Sequence, residues 1–430
     1  MTIFLLFIII LFVLLFLGVP IAYGMIGTAL LILIGLRGIE NVPLDMIAQR
    51  MVYGVNNFAL LAIPAFLLIG KMMNSSGITD RIFNVARTVV GHYKGGLGHV
   101  NVVANMIMAG MSGSAVADAG GLGPIEIKAM KDDGYPVEFA AALGAAAATM
   151  GPVIPPSIPA VVYGALSSES TGKLLVGSLV PGILMGVGLM IYVSIISHVR
   201  NYPTKTKASF REFLVAMKRG VFPMFIPIII IGGIYTGIFT ATESSAVALL
   251  YCVMISFLIY KSITFKELVR VIKETMVDTA VILFIIGGSS AYSWVLARYQ
   301  VTHDFVAWIS ANVHSPSVLL LYINIFLLLI GCFIDCVPAL FLLTPVLLPL
   351  VKQFGIDPIQ FGVIMIVNLM IGLITPPVGT VLYTIQRVGN IPFRALTKAI
   401  VPFYIPLVVV LILITYFPQI VLFLPNLMFR

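Results

Sequence analysis

Charge is what this chain has least of. Only 10% of its 430 residues are Asp, Glu, Lys or Arg, where a soluble domain carries roughly 25%, and the first 36 carry none. A water-soluble globule is excluded. That uncharged start is too long for a secretory h-region and has no basic n-region before it, so it reads as two membrane spans. Cysteine is also scarce: Cys252, Cys332 and Cys336 all sit in apolar runs, where buried thiols behave as small hydrophobes. The five histidines (His92, His99, His198, His303, His314) show no metal-ligand spacing. No nucleotide-binding phosphate loop is present, so any pumping must draw on an ion gradient. The net charge of +8 raises nucleic acid as a partner. The basic residues, however, lie in short loops between apolar runs, which is the positive-inside pattern of a bilayer protein and speaks against nucleic acid.

What is abundant is apolar sequence, 60% of the chain, in runs of about 20 residues that match the hydrocarbon thickness. The fold class is an all-α polytopic membrane protein. In the first half, spans are expected near Ile3–Gly18, Pro20–Leu36, Phe58–Met73 and Leu174–His198. Short amphipathic pieces at Asp45–Gly54 and Thr79–Gly91 suit the interface. The second half should span at Val221–Thr240, Ser244–Tyr260, Val277–Leu296 and Ile400–Leu424, with an amphipathic piece at Phe265–Met276.

The remaining four segments are irregular. Val100–Asp132 and Leu319–Lys352 read as re-entrant hairpins, Pro136–Tyr163 and Pro358–Ile385 as interrupted spans. Backbone unwound at membrane depth survives only where protein buries it or it lines a cavity. The GMSGSAVADAGGLGP run therefore marks a candidate site, with Ser112, Gly113 and Ser114 at a tip and Asp118 as an intramembrane carboxylate. Gly151, Pro152, Pro155 and Pro156 break the first interrupted span, since proline removes a donor and clashes with the turn before it. Gly331, Asp335 and Pro338 make a second tip; Thr375, Pro376, Pro377, Gly379 and Thr380 make a second break. Hydroxyls, carbonyls and carboxylates are ligands for a hard cation. The bland alternatives are small-residue helix packing, helix capping by the aspartates, and plain proline kinks. Glu243 after Thr240 and Thr242 reads as a helix cap.

These features recur. Pro124 and Pro345 are 221 positions apart, as are Pro155 and Pro376; Pro136 and Pro358 are 222 apart, Thr79 and Thr302 are 223 apart, and Asp118 pairs with Asp335 at 217. Several matches in one order argue for duplication, with units 1–200 and 221–430 joined by a basic linker, 201–220. Five crossings per unit, an odd number, invert the second copy. With the N-terminus outside, 19 of the 25 Lys and Arg fall on the cytoplasmic side and 6 (Arg37, Arg50, Lys173, Arg298, Lys352, Arg430) outside. The two hairpins then enter from opposite faces, and Asp118 and Asp335 should meet near the midplane. Gly110-Met111-Ser112-Gly113 also matches the GxSG of intramembrane serine hydrolases, but no histidine lies in a span core to act as base. An ion channel is the other alternative, although two discrete polar clusters do not make a continuous path.

The run from Gly110 through Gly164, GIFTATESSAV and LITPPVGTVLY resemble the large membrane subunit of tripartite ATP-independent periplasmic (TRAP) transporters, and the resemblance covers nearly the whole chain. It implies the ion-transporter fold: a scaffold and a mobile transport domain working as an elevator, with sodium and substrate sites at the hairpins. Carried onto this sequence, sodium is expected at Ser112, Gly113, Ser114, Gly331 and Thr375. The other tip and break residues, Asp118, Gly151, Pro152, Pro155, Pro156, Asp335, Pro376, Gly379 and Thr380, complete the sodium and substrate site. It further implies uptake of an organic acid (a sialic acid, C4-dicarboxylate or similar) across a bacterial inner membrane. The expected partners are a periplasmic substrate-binding protein and a small membrane subunit, the latter as a separate chain. Arg298 on the outer face is a candidate for docking the binding protein.

Overall fold

The computed structural model describes residues 2–204 and 206–429; Lys205 and Arg430, both in the charge count, lie outside the described residues. The described chain is helical throughout, with no strand. Among the described residues, seven helices are long and apolar enough to cross a bilayer.

Side-chain caps set several helix starts. Ser209 with Glu212, Thr240 with Glu243 and Thr264 with Glu267 each form a reciprocal capping box, in which the hydroxyl accepts from the third-residue N–H and the carboxylate accepts from the cap N–H. The capping role expected of Glu243 is therefore what the structure contains. The first box starts a 26-residue helix, Phe210–Tyr235, so half of the expected linker 201–220 is helical. The third starts Phe265–Arg298, a single 34-residue helix that joins the expected interfacial piece and span. No Gly or Pro interrupts it before Gly287-Gly288. At about 1.5 Å per residue it is roughly 50 Å long, so its first turns extend past the hydrocarbon. The last span also differs from expectation. It runs over Phe393–Tyr416 and stops at Phe417, with Gln419–Met428 a separate helix. Pro418 is the cause, because it disfavours helical backbone in the residue before it.

Both hairpins and both interrupted spans are present as broken helices. Gly96–Ser112 turns at Gly113 into Ala115–Gly121 and Gly123–Asp132. Pro316–Gly331 turns through 332–335 into Cys336–Gln353. Val137–Ala148 resumes as Ile158–Ser167, and Pro358–Gly372 resumes as Thr380–Gly389. The Pro155–Pro156 and Pro376–Pro377 bonds in the two gaps are cis. The halves of the chain interlock at Tyr163, a fully buried side chain of the first broken helix whose hydroxyl donates to the Pro358 carbonyl, 2.8 Å away, at the start of the second.

Polar contacts tie chain ends together in two groups. Arg37 bonds the Tyr299 hydroxyl at 3.1 Å, Arg50 stacks over Trp294, and Lys352 pairs with Glu169 at 3.3 Å, all on stretches assigned outside. Lys94 bonds Asn201 at 3.1 Å and Arg81 stacks on Tyr260 at 3.9 Å, all on stretches assigned inside.

The second hairpin crosses the second broken helix through two glycines. A Cβ on Gly372 would lie 2.5 Å from the Gly331 Cα and carbonyl carbon, so only backbone fits there. Gly372→Ala is expected to lower the thermal midpoint, at a cost of about 1–3 kcal/mol of overpacking. Gly232→Ala, at a helical position with nothing within 4 Å of a Cβ, should melt as the parent does. Equal midpoints for the two variants would mean that the crossing is not tight.

Candidate functional site

Each hairpin tip rests on its own broken helix. Gly113 has φ +61°, the left-handed region that glycine adopts freely, and closes the helix ending at Ser112. A side chain there would meet the Pro156 carbonyl at 2.8 Å. Ser114 caps the next helix, its Oγ accepting from the Ala117 N–H at 3.4 Å, and the Ser112 hydroxyl accepts from the Ser114 N–H at 3.4 Å. In the first gap the Ser157 hydroxyl donates to the Pro152 carbonyl. In the second half, the Cys332 carbonyl takes the Val378 and Gly379 N–H groups at 3.3 and 3.4 Å, tying the tip to the gap. Gly379, at φ +54°, sits with the Thr375 and Leu373 carbonyls 3.1 and 3.2 Å from where its Cβ would be.

The tips come together around one open cavity of 250 Å³. Gly113, Ser114 and Pro152 line it from the first half, Asp335, Cys336 and Pro338 from the second. Leu67, Val281, Ile282 and Ile285, on the long helices beside them, give it an apolar wall. Two helices of ten residues or more begin at its edge: Ile158–Ser167, capped by Ser157, and Cys336–Gln353, capped by Asp335. Helix N-termini carry partial positive charge, which favours an anion.

The two aspartates do not occupy equivalent places. Asp335 is the cap at the second tip: its Oδ1 accepts from the Cys336 N–H at 2.6 Å, and the side chain is accessible from the cavity. Its counterpart in role is Ser114, also a cap, 221 positions earlier and at the offset of the prolines. Asp118 stands one turn deeper, fully buried, with the Ser112 hydroxyl as a polar neighbour. Neither of its carboxylate oxygens has a hydrogen bond of ordinary geometry. Its Oδ2 fills the space where a Cβ on Gly151 would stand, which explains glycine there. An unpaired carboxylate at such depth costs about 2.5 to 3.5 kcal/mol on insertion scales, so this orphan needs a cation or a proton.

Other expected site residues have plainer places. Gly331 ends the ascending helix and packs on Gly372 instead of forming the tip. Thr375 donates its hydroxyl to the Ile371 carbonyl at 2.7 Å, one turn back. The Thr380 hydroxyl is buried without a partner among the described residues. The second-gap residues Thr375, Pro376, Gly379 and Thr380 do not line the cavity, and neither do Pro155 and Pro156. Arg298 is exposed in the last turn of its helix. His99 and His198 have other partners than Ser112: His99 faces the Ser194 hydroxyl at 3.3 Å and His198 the Ser194 carbonyl at 2.7 Å.

One buried group was not singled out from the sequence. Glu126, on the returning arm of the first hairpin, is 1% exposed. Its Oε2 accepts from the Asn101 amide at 2.9 Å and its Oε1 from the Asn105 amide at 2.7 Å. Asn101 and Asn105 are one turn apart on the outgoing arm, and that spacing is the signal that could have found the cluster.

Broken helices paired with hairpin tips around one cavity are an arrangement found in membrane transporters. The fold has a solved counterpart. It superposes on the structure of the Alcanivorax borkumensis YdaH transporter with a TM-score of 0.64 at 15% identity, covering 87% of this chain and 89% of that one. Residues 8–420 match the family described as tripartite ATP-independent periplasmic transporter, DctM component, and the chain belongs to that family. It is 45% identical over 96% of both chains to the sialic acid TRAP transporter large permease protein SiaM of Vibrio cholerae. It is 38% identical, over 86% of this chain and 87% of the relative, to the C4-dicarboxylate TRAP transporter large permease protein DctM of Pseudomonas aeruginosa. The protein is a transporter permease subunit and not an enzyme, so Gly110–Gly113 is the end of a hairpin helix and not a nucleophile motif.

The asparagine pair gives a test of how the hairpin arms are held. Asn101→Ala removes the donor to Glu126 Oε2 and should cost about 1–3 kcal/mol, the penalty of an unsatisfied buried acceptor. A thermal midpoint unchanged from the parent would show that the pair does not hold the arms.

Proposed function

We propose that this permease carries an organic acid into the cell by sodium-coupled secondary transport, in a bacterial inner membrane with the N-terminus in the periplasm. The acid is a carboxylate of the kind named for its relatives, sialic acid or a C4-dicarboxylate. The observation that carries the reading is the charge arrangement at the 250 Å³ cavity. Two helix N-termini face it and favour a carboxylate, while Asp335 at its edge and Asp118 behind it repel one. An anion binds beside two carboxylates only if cations come with it, and that condition is coupling. Hydroxyl and carbonyl oxygens at Ser112, Gly113 and Ser114, with Asp118, form a donor set suited to sodium.

The two units are an inverted repeat, 1–200 and 221–430 about the linker, whose hairpins and broken helices move as a body against the long helices. A small membrane subunit completes the assembly, and a periplasmic binding protein delivers the acid to the outer face, docking near Arg298.

Uptake by proteoliposomes holding the complex tests coupling. A sodium gradient should drive it and a proton gradient without sodium should leave it near background; strong proton-driven uptake would sink the reading. Asp118→Asn should raise the sodium concentration for half-maximal uptake by about tenfold, equivalent to about 1.4 kcal/mol of lost cation attraction. Asp335→Asn keeps the cap, so any rise in its sodium requirement reports charge alone. Wild-type sodium curves for both variants would make the aspartates structural.

Docking has its own check. Arg298→Glu should slow uptake at limiting binding protein while expression and thermal midpoint stay at parental values, because a rim charge acts on association rate. Normal uptake under those conditions would leave Arg298 a solvated helix end.

A further inference from the structure

A second cavity shares no lining residue with the one at the hairpin tips. It has a volume of 1080 Å³ and opens between the helix Ile78–Val90 and the start of the helix Phe210–Tyr235, with residues 206–208 across one end. The helices touch at Gly220, where a Cβ would meet Val85 at 2.6 Å, and part toward Phe210.

Its walls are strongly basic. Arg81 and Arg87 come from one side, Arg211 and Arg219 from the other, and Lys207 from the connecting segment, against only Asp80 and Glu212. Glu212 is already engaged as the capping-box acceptor of the Ser209 N–H at 2.7 Å. Arg81 is held by the Tyr260 ring at 3.9 Å, and Tyr260 in turn donates its hydroxyl to the Arg219 carbonyl at 2.7 Å. None of Lys207, Arg211 and Arg219 has a carboxylate at salt-bridge distance among the described residues. The positive-inside rule accounts for basic residues on this face, but not for their convergence on one cleft from three segments.

Next in sequence to lining residues stand exposed apolar ones: Phe210, 74% exposed, and Leu214, 49%, on one helix, and Val89, 44%, on the other. Basic groups within a cleft and bare apolar side chains on the same two helices match the two halves of a phospholipid. Basic pockets between membrane helices on the cytoplasmic side suit anionic headgroups, and guanidinium groups pair with phosphate bidentately.

We propose that this cleft is a binding site for the phosphate of an anionic phospholipid headgroup, whose acyl chains lie along Phe210, Leu214 and Val89. The lipid joins the helix that leads into the first hairpin to the helix that opens the second half of the chain.

The test uses the full-length chain in neutral detergent, titrated separately with short-chain phosphatidylglycerol, the matching phosphatidylcholine and inorganic phosphate. Bound lipid is counted by native mass spectrometry, and the thermal midpoint is followed in parallel. Phosphatidylglycerol should bind and raise the midpoint, with phosphatidylcholine far weaker. A membrane-facing Lys or Arg contributes on the order of a fivefold change in affinity. The double variant Arg87→Gln, Arg211→Gln, which alters two exposed side chains, should therefore weaken phosphatidylglycerol binding by about thirtyfold. Lys128→Gln, Lys131→Gln removes two exposed charges outside the cleft and should leave binding unchanged. An equal loss in that control would reduce the effect to general surface charge and overturn the proposal. Protection by inorganic phosphate as strong as by phosphatidylglycerol would overturn the lipid assignment and leave a free-anion site.

Discussion

A backbone N–H or C=O in hydrocarbon has no water to bond, and each one left bare costs several kcal/mol. Each hairpin tip in this protein sits where the break of a paired helix meets it. The tip at Gly113 lies on the Pro156 carbonyl, and the tip at Cys332 bonds the N–H groups of Val378 and Gly379. The hairpins and the broken helices are thus conditions for one another: neither could unwind at depth alone. Glycine makes the approach possible at the few positions where backbone meets backbone, as Gly331 and Gly372 do. What the breaks leave over, two helix starts and a small cavity, is the part of the structure that can bind a solute.

The same constraint explains how much could be read from residues alone. Helix-breaking residues are strong signals in an apolar chain, so hairpins and interrupted spans are legible at Gly113, Pro155-Pro156 and Pro376-Pro377. Capping at Glu243 is legible because a capping box is local in sequence. Contacts between distant segments are not. The Tyr163 bond to Pro358 spans 195 positions, and no periodicity predicts it. Glu126 escaped because it stands among Lys128, Lys131, Asp132 and Asp133, which read together as a solvated end. One turn of helix is enough to carry it from that end into the core. Pairing Asp118 with Asp335 failed for a related reason: residue type was matched and helix position was not. The offset of 221 places Ser114 opposite Asp335, and the structure gives those two the same capping role.

That reassignment changes the physics of the centre. Two matched aspartates would suggest two equal cation sites related by symmetry. The structure has instead one carboxylate that caps a helix at the cavity edge and one that is buried with only the Ser112 hydroxyl as a polar neighbour and no hydrogen bond of ordinary geometry. A capping aspartate already has an N–H and a helix dipole to steady its charge; Asp118 has neither. The demand for a cation is therefore concentrated in the first hairpin. Glu126, on the same arm, is also buried, with the Asn101 and Asn105 amides as its hydrogen-bond donors. A cation entering beside Asp118 relieves both carboxylates at once. Under the sodium coupling proposed above, the first hairpin is the element whose energy changes most with the ion, while the second supplies a capped helix start to the cavity. Two hairpins of like shape would in this way divide the labour, one holding the ion and the other presenting a dipole to the solute.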